Sequence, residues 1–496
     1  MKRININELF EGYNELSIPD GISQSMLFSP TASAESADEG AMLFITEKVG
    51  RESNDVDMSK MSRIPAALVV SDTCIVKSVR CPIIRAKSVR TALSFSLSNL
   101  YEIDYTRLKI IGVTGTNGKT TTATLIYEIL IRCGYKAGFI GTGKIISNGT
   151  ALTPDNYSMT TPDPTELYPI LSRMQSDGCN YVVMEVSSHS IALGKVAPIT
   201  FEYAIFTNLD DDHLDFHLNK TDYFKTKLSL FKQAQKGLFN LDDEYSKNAY
   251  DLSGCKRSTI GIIKNGDTYA TDIRYRGLSG SSFLYRSKDL IFKVNSALPG
   301  AFNIYNALCA LRCVIDLGIK PCVAKRAFEE IRGIDGRMEI TEGVITAVID
   351  YAHTPDAFYN CLKTLKSNLI NEQKLIVVFG CGGERDKSKR TAFGKHADNL
   401  ADKIILTEDN SRFEPLENII ADISAGITKK CFETVPDRES AIRYAFEIAN
   451  EGDVVAVVGK GHERYKIVNG AYLPFDERQI IDDAMKKASK RYASRA

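Results

Sequence analysis

The sequence lacks several features that would place the chain in a specialised class of protein. Its 496 residues include no tryptophan, and they carry no net charge because 62 Lys and Arg residues balance 62 Asp and Glu residues. The basic excess that nucleic acid or an anionic membrane attracts is therefore missing. No apolar run approaches the roughly 18 residues of a membrane span, and the first residues show no apolar core of a secretory signal. We therefore expect a cytoplasmic monomer that binds neither nucleic acid nor membrane.

Paired cysteine motifs are also missing. The 11 cysteines are scattered, the closest pair is Cys309 and Cys313, and no C-x-x-C occurs. This spacing predicts neither a zinc ribbon nor a redox pair. Free, buried thiols in a reducing compartment are the expectation.

The composition is that of an ordinary globular chain, with 44% hydrophobic and 25% charged residues. At 100–200 residues per domain the length predicts about three domains. The region up to about Tyr101 mixes polar stretches with short apolar runs such as AALVV (66–70), which is typical of a small α/β domain.

From Leu108 the sequence alternates buried strands with helices. LKIIGV predicts a strand, GTNGKT a turn, and TTATLIYEILIRCG a helix that Gly134 closes. Two further strands, YVVMEV (181–186) and FEYAIFTNL (201–209), follow at βαβ spacing, which indicates a parallel sheet. Residues 298–318 predict a turn that opens a buried helix, and GIDGRME (333–339) is typical of a linker.

The last third of the chain predicts a second, doubly wound sheet. Four apolar runs each end in polar or glycine-rich residues, and they are VITAVIDYAH, KLIVVFGCGGERD, KIILTEDN and DVVAVVGKGHE. In such sheets the ligand binds at the carboxyl ends of the strands. GCGGER is not a dinucleotide fingerprint, because Arg385 stands where the last glycine belongs, and a tight strand-to-helix turn is the alternative.

The segment between the first central strand and its helix has the composition of a phosphate-binding loop, since backbone N–H groups and a helix N-terminus cradle polyphosphates. Lys119 would reach the terminal phosphates, and the Thr120 hydroxyl can bind Mg²⁺. The strict G-x-x-x-x-G-K-T spacing fails at Val113, so an ordinary glycine turn is the alternative. The loop residues are Gly115, Thr116, Asn117, Gly118, Lys119 and Thr120.

Candidate metal ligands follow the other two central strands. Glu185 ends the second strand, and His213 lies just beyond the third in TNLDDDHLD. A lone histidine is more often structural, and only the neighbouring phosphate loop favours a ligand role for His213.

These residues belong to a longer series of motifs that resembles the Mur ligases. Within that family the sequence is most similar to the MurE type, which adds the third residue of the peptidoglycan stem peptide. The likeness runs from about residue 108 to 480, in the family's order. The motifs are GTNGKTT, TTPDP (160–164), MEVSSH (184–189), TNLDDDHLD (207–215), YFKTKLSLF (223–231), LPGAFNIYN (298–306), DGRME (335–339), DYAHTPD (350–356), FGCGGERDKSKR (379–390) and GKGHE (459–463).

The resemblance implies an α/β protein of three domains that acts as an ATP-dependent amide ligase. Residues 1–100 would bind the UDP end of UDP-N-acetylmuramoyl-L-Ala-D-Glu, residues 101–335 would form a P-loop ATPase with a parallel sheet, and residues 336–496 would form a Rossmann-like domain for the incoming diamino acid. The substrate carboxylate is converted to an acyl phosphate, which the amine then attacks. ATP and Mg²⁺ are the implied cofactors.

The resemblance also assigns the nucleotide side of the site. Thr120 and Glu185 would hold one Mg²⁺, and Glu185, His213 and a carbamylated Lys227 would serve a second. Lys119 and Arg337 would face the phosphates. The remaining nucleotide residues implied are Thr121, Asn303, Asn306, Asp350 and His353, although Asp350 and His353 could instead form a hydrogen-bonded pair at the hinge.

Four residues match family positions that contact the sugar-peptide, and they are Thr160, Thr161, Ser187 and Lys195. The chain departs from the family beside them, because Leu193 and Lys195 stand where Gln and Arg are usual. Lysine keeps the positive charge of arginine but not its bidentate fork. The uridine-binding element is only faintly matched by SAESADEGAMLF (33–44), so no uridine contact is assigned.

The incoming amino acid would be surrounded by residues of three C-terminal motifs. These are Arg385, Asp409, Asn410, Ser411, Arg412, Gly459 and Glu463. Arg412 stands where enzymes that add meso-diaminopimelate have the Arg of their D-N-P-R motif, and a guanidinium suits the distal carboxylate of that amino acid. Ser411 replaces the usual proline, which loosens the loop.

Three alternatives remain open at this point. The chain could add L-lysine instead of meso-diaminopimelate, or it could be a ligase of the same superfamily that acts on another carboxylate. It could also be a non-catalytic paralogue that binds nucleotide, although Lys119, Glu185, His213 and Lys227 are all present.

Overall fold

The computed structural model contains three large β-sheets that follow one another along the chain, each accompanied by helices. Two small two-stranded sheets complete the topology of the described residues. The structure describes residues 2–493 apart from 21, 36, 37, 39, 47–55, 153–158 and 371.

The first sheet has six strands in the order β1-β3-β4-β6-β8-β2. Its central strands β3, β4, β6 and β8 are parallel, and every residue of β6 is buried, as expected for a strand that is covered on both faces. The predicted uridine element reaches β4, but residues 36, 37 and 39 lie outside the described residues. The elements are β1 (Ile4–Asn5), α1 (Ile6–Leu9), β2 (Leu16–Ser17), β3 (Leu27–Thr31), β4 (Ala41–Phe44), β5 (Val56–Asp57), β6 (Ala67–Ser71), β7 (Val76–Lys77), β8 (Ile83–Ala86) and α2 (Val89–Leu100).

The second sheet has eleven strands in the order β12-β11-β10-β13-β9-β14-β15-β16-β17-β18-β19. Its elements are β9 (Lys109–Thr114), α3 (Lys119–Arg132), β10 (Ala137–Gly141), β11 (Lys144–Ser147), β12 (Thr150–Ala151), α4 (Pro164–Ser176), β13 (Tyr181–Glu185), α5 (Ser188–Ala192), β14 (Phe201–Phe206), α6 (Lys220–Ser229), β15 (Ala234–Asn240), α7 (Glu244–Leu252), β16 (Lys256–Gly261), β17 (Thr268–Tyr275), β18 (Ser281–Ser287), β19 (Ile291–Ser296), α8 (Ala301–Asp316) and α9 (Pro321–Glu329).

The predicted parallel sheet forms the middle of this second sheet. Strands β10, β13, β9, β14, β15, β16 and β17 are parallel neighbours. Successive residues of β9 enter cores on opposite faces, since Ile110 joins one core and Ile111 the other. Antiparallel strands β11, β12, β18 and β19 extend both edges, and the sequence analysis did not predict them.

The third sheet has six strands in the order β20-β21-β25-β22-β23-β24. The four predicted strands are β21, β22, β23 and β25, and they are parallel neighbours at its centre. The elements are β20 (Glu339–Thr341), β21 (Thr346–Asp350), α10 (Pro355–Lys366), β22 (Leu375–Phe379), α11 (Arg390–Leu400), β23 (Lys403–Leu406), α12 (Leu416–Ser424), β24 (Phe432–Thr434), α13 (Arg438–Ile448), β25 (Val454–Val458), β26 (Tyr465–Val468), β27 (Ala471–Pro474) and α14 (Glu477–Ala493). The three-sheet α/β architecture is thus confirmed, while domain limits at residues 101 and 336 stay a prediction.

The remaining general predictions concern cysteines and membranes. All 11 cysteines are free, and six of them are buried, whereas Cys322 and Cys431 are exposed. Within the described part of the chain, no helix combines the length and the apolar character that crossing a bilayer requires.

Candidate active site

A cavity of about 830 Å³ lies between the second and third sheets. Residues at or just beyond the carboxyl ends of β9, β13, β14 and β15 form one wall, and those after β21, β22, β23 and β25 form the other. This is where parallel sheets bind ligands. Of the site residues predicted from sequence, all line this cavity except Gly115 and Ser411.

The phosphate-binding loop connects β9 to the N-terminus of α3, which begins at Lys119. Gly118 has φ +83° at the helix N-cap, and a Cβ there would lie 2.6 Å from Asn306 Oδ1, so only glycine fits. The Lys119 ammonium donates hydrogen bonds to the carbonyl oxygens of Gly115 at 3.0 Å and Thr116 at 2.8 Å. The loop therefore holds its lysine against its own backbone, close to the helix N-terminus that attracts phosphate.

Two oxygen donors suited to a hard cation meet beside this loop. The Thr120 hydroxyl donates to Glu185 Oε2 at 2.9 Å, and the fully buried Glu185 also accepts a hydrogen bond from the Thr142 N–H. All of these partners are neutral, so within the described residues Glu185 is a buried carboxylate without a cation at ion-pair distance. Carboxylate and hydroxyl oxygens are ligands that a hard divalent cation takes, so this pair fits a Mg²⁺ site.

Lys227 is the second unusual charge in the cavity. Its side chain is 1% exposed, and its ammonium donates to the Gly115 carbonyl at 2.9 Å and lies 4.6 Å from the centre of the Tyr223 ring. Burial and then the nearby Lys119 charge lower the pKa of Lys227 well below its ordinary value. Lys225 is exposed instead. Of these two lysines, only Lys227 is placed where a neutral amine could be modified.

His213 lies on the same side of the cavity. Its backbone has φ +55°, and its ring packs edge-on against His189 with centroids 4.8 Å apart. Burial lowers the pKa of His213 to about 2, despite the opposing charge of Asp212. A neutral imidazole is the form that binds metal. Among the described residues no cluster of three or more His, Cys, Asp or Glu side chains could hold a metal ion.

The third sheet contributes directly to the nucleotide side of the cavity. Thr354 caps α10, and Arg337 lies in the predicted linker before β20. Side-chain hydrogen bonds connect the two walls, among them Arg337 Nη2 to Thr120 Oγ1 at 2.8 Å, Thr354 Oγ1 to Asn117 Oδ1 at 3.1 Å, and Lys389 Nζ to Asp212 Oδ1 at 2.5 Å.

Asp350 and His353 line the cavity but are not bonded to each other. The Asp350 carboxylate accepts hydrogen bonds from the N–H groups of Met338 and Ala352, whereas His353 Nδ1 contacts the Tyr351 carbonyl at 3.1 Å. The alternative of a hydrogen-bonded hinge pair is therefore wrong. Asp350 instead fixes the backbone next to Arg337.

The residues predicted to contact the sugar-peptide surround the end of β13. Thr161 donates to the Glu185 carbonyl at 2.9 Å, and Thr160 shares a hydrogen bond with Thr142 at 3.0 Å. Lys195 is nearly buried, and its ammonium lies 2.8 Å from Asp163 Oδ1. The same oxygen accepts a hydrogen bond from Arg90 of α2 at 2.9 Å. Arg90, from the helix of the first sheet, and Lys195 therefore share one carboxylate oxygen.

The predicted amino-acid pocket is built from the loops after β23 and β25. The Asn410 amide donates to Glu463 Oε2 at 2.9 Å. Arg412 has φ +54° and donates to the Gly383 carbonyl at 2.7 Å, while Arg385 is exposed. The Ser411 N–H donates to the Asp409 carbonyl at 3.1 Å, a bond that proline could not make. In this chain serine thus gains a loop contact in exchange for the lost ring.

Three basic residues of these surroundings were missed from the sequence. Lys460, Lys389 and Arg90 form ion pairs with residues in or beside the cavity. Lys460 and Lys389 lie inside motifs that were singled out, but nothing in the motifs separates a buried lysine from a solvated one. Arg90 comes from a helix far away in sequence, and only the fold brings it to Asp163.

Comparison with known proteins gives one consistent result. The family descriptions "Mur ligase middle domain" and "Mur ligase, glutamate ligase domain" match residues 113–314 and 336–461. A Clostridium botulinum protein named UDP-N-acetylmuramoyl-L-alanyl-D-glutamate--2,6-diaminopimelate ligase is 40% identical over 413 residues, which is 82% of this chain and 84% of its own. A protein of the same name from Caldanaerobacter subterraneus is 39% identical over 432 residues, 86% of this chain and 88% of its own.

A solved structure agrees with these relatives. It is described as a UDP-N-acetylmuramoyl-L-alanyl-D-glutamate--2,6-diaminopimelate ligase and matches with a TM-score of 0.66 at 28% identity, over 98% of this chain and 99% of its own. The matching family descriptions, the sequence identity over most of the chain and the shared fold lead to one conclusion: the chain belongs to the Mur ligase family.

Proposed function

We propose that this chain is an ATP-dependent ligase that joins meso-diaminopimelate to UDP-N-acetylmuramoyl-L-Ala-D-Glu. The observation that carries the proposal is a single cavity lined by a phosphate-binding loop, a buried Lys227 and, on its other wall, Arg412 and Glu463. Relatives that match more than four-fifths of the chain bear the name of this activity.

ATP binds at the N-terminus of α3. The loop N–H groups and the helix dipole favour its phosphates, Lys119 supplies a positive charge, and Arg337 reaches Thr120 from the opposite wall. Asn303 and Asn306 orient one another, because the Asn306 amide donates to Asn303 Oδ1 at 3.0 Å. Together with Thr121, Asp350 and His353 they surround the nucleotide.

Thr120 and Glu185 would hold one Mg²⁺, and Glu185, His213 and a carbamylated Lys227 would hold a second. The reaction of a neutral amine with CO₂ yields a carbamate and releases a proton, so a positive group becomes an oxygen ligand. Bound Mg²⁺ supplies positive charge that neutralises the phosphates of ATP. The lowered pKa of Lys227 supports the modification, because it leaves more of the amine neutral.

The chemistry needs two substrates brought together between the walls. The D-Glu carboxylate attacks the γ-phosphate of ATP and ADP leaves, giving an acyl phosphate. The amine of the amino acid then attacks the acyl carbon, phosphate leaves and the amine loses a proton. Thr160, Thr161, Ser187 and Lys195 position the peptide end, and Lys119 and Arg337 stabilise the negative charge that develops on the phosphoryl group.

The far end of the amino acid decides specificity. The candidates share the reacting amine, but only meso-diaminopimelate carries a second carboxylate, and Arg412 with Arg385 offers guanidinium groups on that side of the cavity. Asp409, Asn410, Gly459 and Glu463 form the remainder of this pocket, with Ser411 behind it.

The test is release of phosphate from ATP by the purified protein. We expect release to require both UDP-N-acetylmuramoyl-L-Ala-D-Glu and a diamino acid, and kcat/KM to be greater with meso-diaminopimelate than with L-lysine. Release that is independent of the dipeptide substrate contradicts the proposal. A preference for L-lysine contradicts the choice of amino acid alone.

A further inference from the structure

A fully buried lysine lies beneath the pocket formed by the loops after β23 and β25. None of the surface of Lys460 is exposed, yet it carries an ammonium group. Its Nζ donates to Asn410 Oδ1 at 2.9 Å and to Glu463 Oε2 at 3.1 Å, and it lies 3.7 Å from Asp409 Oδ1. A buried charge persists only where such partners surround it, and here all three partners are residues assigned to the pocket.

Lys460 and the backbone of Ile467 together fix which way the Asn410 amide faces. Asn410 Oδ1 also accepts a hydrogen bond from the Ile467 N–H at 2.9 Å, and its Nδ2 donates to Glu463 Oε2 at 2.9 Å. With two donors aimed at Oδ1, the amide oxygen must face Lys460 and the amide nitrogen must face Glu463. If the amide were turned over, its NH₂ group would face the Lys460 ammonium and the Ile467 N–H, which are both hydrogen-bond donors.

Lys460 also determines which oxygen of Glu463 remains available. Oε2 accepts from both Lys460 and Asn410, whereas the one hydrogen bond to Oε1 from the part of the chain that the structure describes comes from the Tyr351 hydroxyl at 3.5 Å. Oε1 is thus the oxygen left to receive a ligand in the cavity. Burial raises the pKa of Glu463 and the Lys460 charge opposes this, so removal of Lys460 favours the protonated carboxyl.

We propose that Lys460 is a positioning residue for the incoming amino acid, holding the Asn410 amide and the Glu463 carboxylate in the arrangement that receives an ammonium group. This proposal rests on the proposed function, since it takes the pocket to be the amino-acid site. Lys460 itself does not touch the ligand, because it is fully buried and does not line the cavity.

The experiment compares Lys460→Met and Lys460→Gln with the wild type, using ATP, UDP-N-acetylmuramoyl-L-Ala-D-Glu and meso-diaminopimelate as probes. For Lys460→Met we expect KM for the amino acid to rise about 10–100-fold, while KM for ATP and for the dipeptide substrate stays within about threefold. Lys460→Gln keeps a donor for Asn410 but no charge, so its KM for the amino acid should fall between the two.

A control variant and a double variant make the result specific. Lys466→Met removes a lysine of β26 whose partner is Glu408 at 2.7 Å, and it should leave KM for the amino acid unchanged. If Lys460 acts through Asn410, then Lys460→Met should cause a much smaller further rise in the Asn410→Leu background.

Several outcomes overturn the proposal. Equal rises in all three KM values, or no rise for the amino acid, show that Lys460 has no positioning role. Failure of both variants to fold makes Lys460 a residue of the fold alone. A wild-type protein that ligates no amino acid overturns the proposed function instead, and this is seen before any variant is made.

Discussion

At the scale of single residues, Lys227 carries the first prediction. Lys227→Ala should abolish ligase activity, because the variant loses the amine on which the carbamate oxygen ligands form. Short-chain carboxylic acids added to this variant should restore part of the activity by placing a carboxylate in the space left by the side chain. Rates of phosphate release with and without the acid provide the measurement.

Lys225 is the matched control for this prediction, since it lies on the same helix but is exposed. Lys225→Ala should retain wild-type activity. Full activity of Lys227→Ala, or equal losses in both variants, would show that the carbamate is not formed at Lys227.

Arg412 carries the second prediction at this scale. Arg412→Ala should lower kcat/KM for meso-diaminopimelate by a factor that corresponds to about 2–4 kcal/mol, because a charge-assisted pair with the distal carboxylate is lost. L-Lysine has no distal carboxylate and serves as the internal control, so its kcat/KM should change far less. A variant that keeps the wild-type preference means that Arg412 does not select the amino acid.

At the scale of elements, α11 begins at a fully buried arginine that ties it to the neighbouring loop and helix. Arg390 pairs with Glu414 at 2.7 Å and with Asp422 of α12 at 2.9 Å. Arg390→Met should lower the free energy of unfolding by about 3–5 kcal/mol, because Glu414 loses its main partner. Urea unfolding provides the measurement, and Arg443→Met, which breaks a partly exposed pair within α13, should cost less than about 1 kcal/mol.

The same pair predicts a pH dependence. Its hydrogen bonds to Arg390 hold the pKa of Glu414 well below the ordinary value, so the pair stabilises the fold fully above the unfolded pKa of about 4.3 and progressively less as pH falls towards the native pKa. The stability difference between wild type and Arg390→Met should therefore shrink below about pH 4. A difference that stays constant down to pH 2 would show that the contribution of Arg390 comes from packing alone.

Some elements were predictable from the sequence and others were not, for a physical reason. Strands such as β22 and β25 are buried along their whole length, so they appear as continuous apolar runs. Strands β17 and β19 are only partly buried and have mixed polarity, and their pairing depends on partners that sequence periodicity does not reveal. The motif residues of the site were predictable because they follow the apolar strands directly.

The site's supporting contacts were less predictable than its motifs. The Asn117–Thr354 contact joins residues 237 positions apart, and the Lys389–Asp212 pair joins residues 177 apart. The sequence indicates that each residue lies at a strand end or helix start, but which residues meet across the cavity depends on how the two sheets are placed. The buried state of Lys460 likewise follows from packing against Tyr465 and Asn410 rather than from its motif.

At the scale of the whole molecule, the structure shows the second and third sheets in contact across the cavity. The side-chain hydrogen bonds include Arg337 to Thr120, Thr354 to Asn117, and Lys389 to Asp212, and Leu278 and Phe302 of the second unit pack against the core of the third. The connection between the two units runs through residues 333–339, where Gly336 has φ +65°. Interfaces of this kind permit relative domain motion, so we expect the arrangement seen here to be the closed one.

The last prediction is that substrates shift the protein towards this closed arrangement. Without ligands, X-ray scattering in solution should give a radius of gyration larger than the value calculated from this structure, because the hydrogen bonds between the two walls gain little over hydration by water. A non-hydrolysable ATP analogue together with the dipeptide substrate should reduce the radius to the calculated value, since the phosphates attract Arg337 on one wall and Lys119 on the other. Lys389→Ala should require more ligand for the same compaction, whereas Lys387→Ala, an exposed lysine two residues earlier, should not. If the radius is the same with and without ligands, in the wild type and in both variants, the two sheets are held in this arrangement throughout. Catalysis would then need no domain closure.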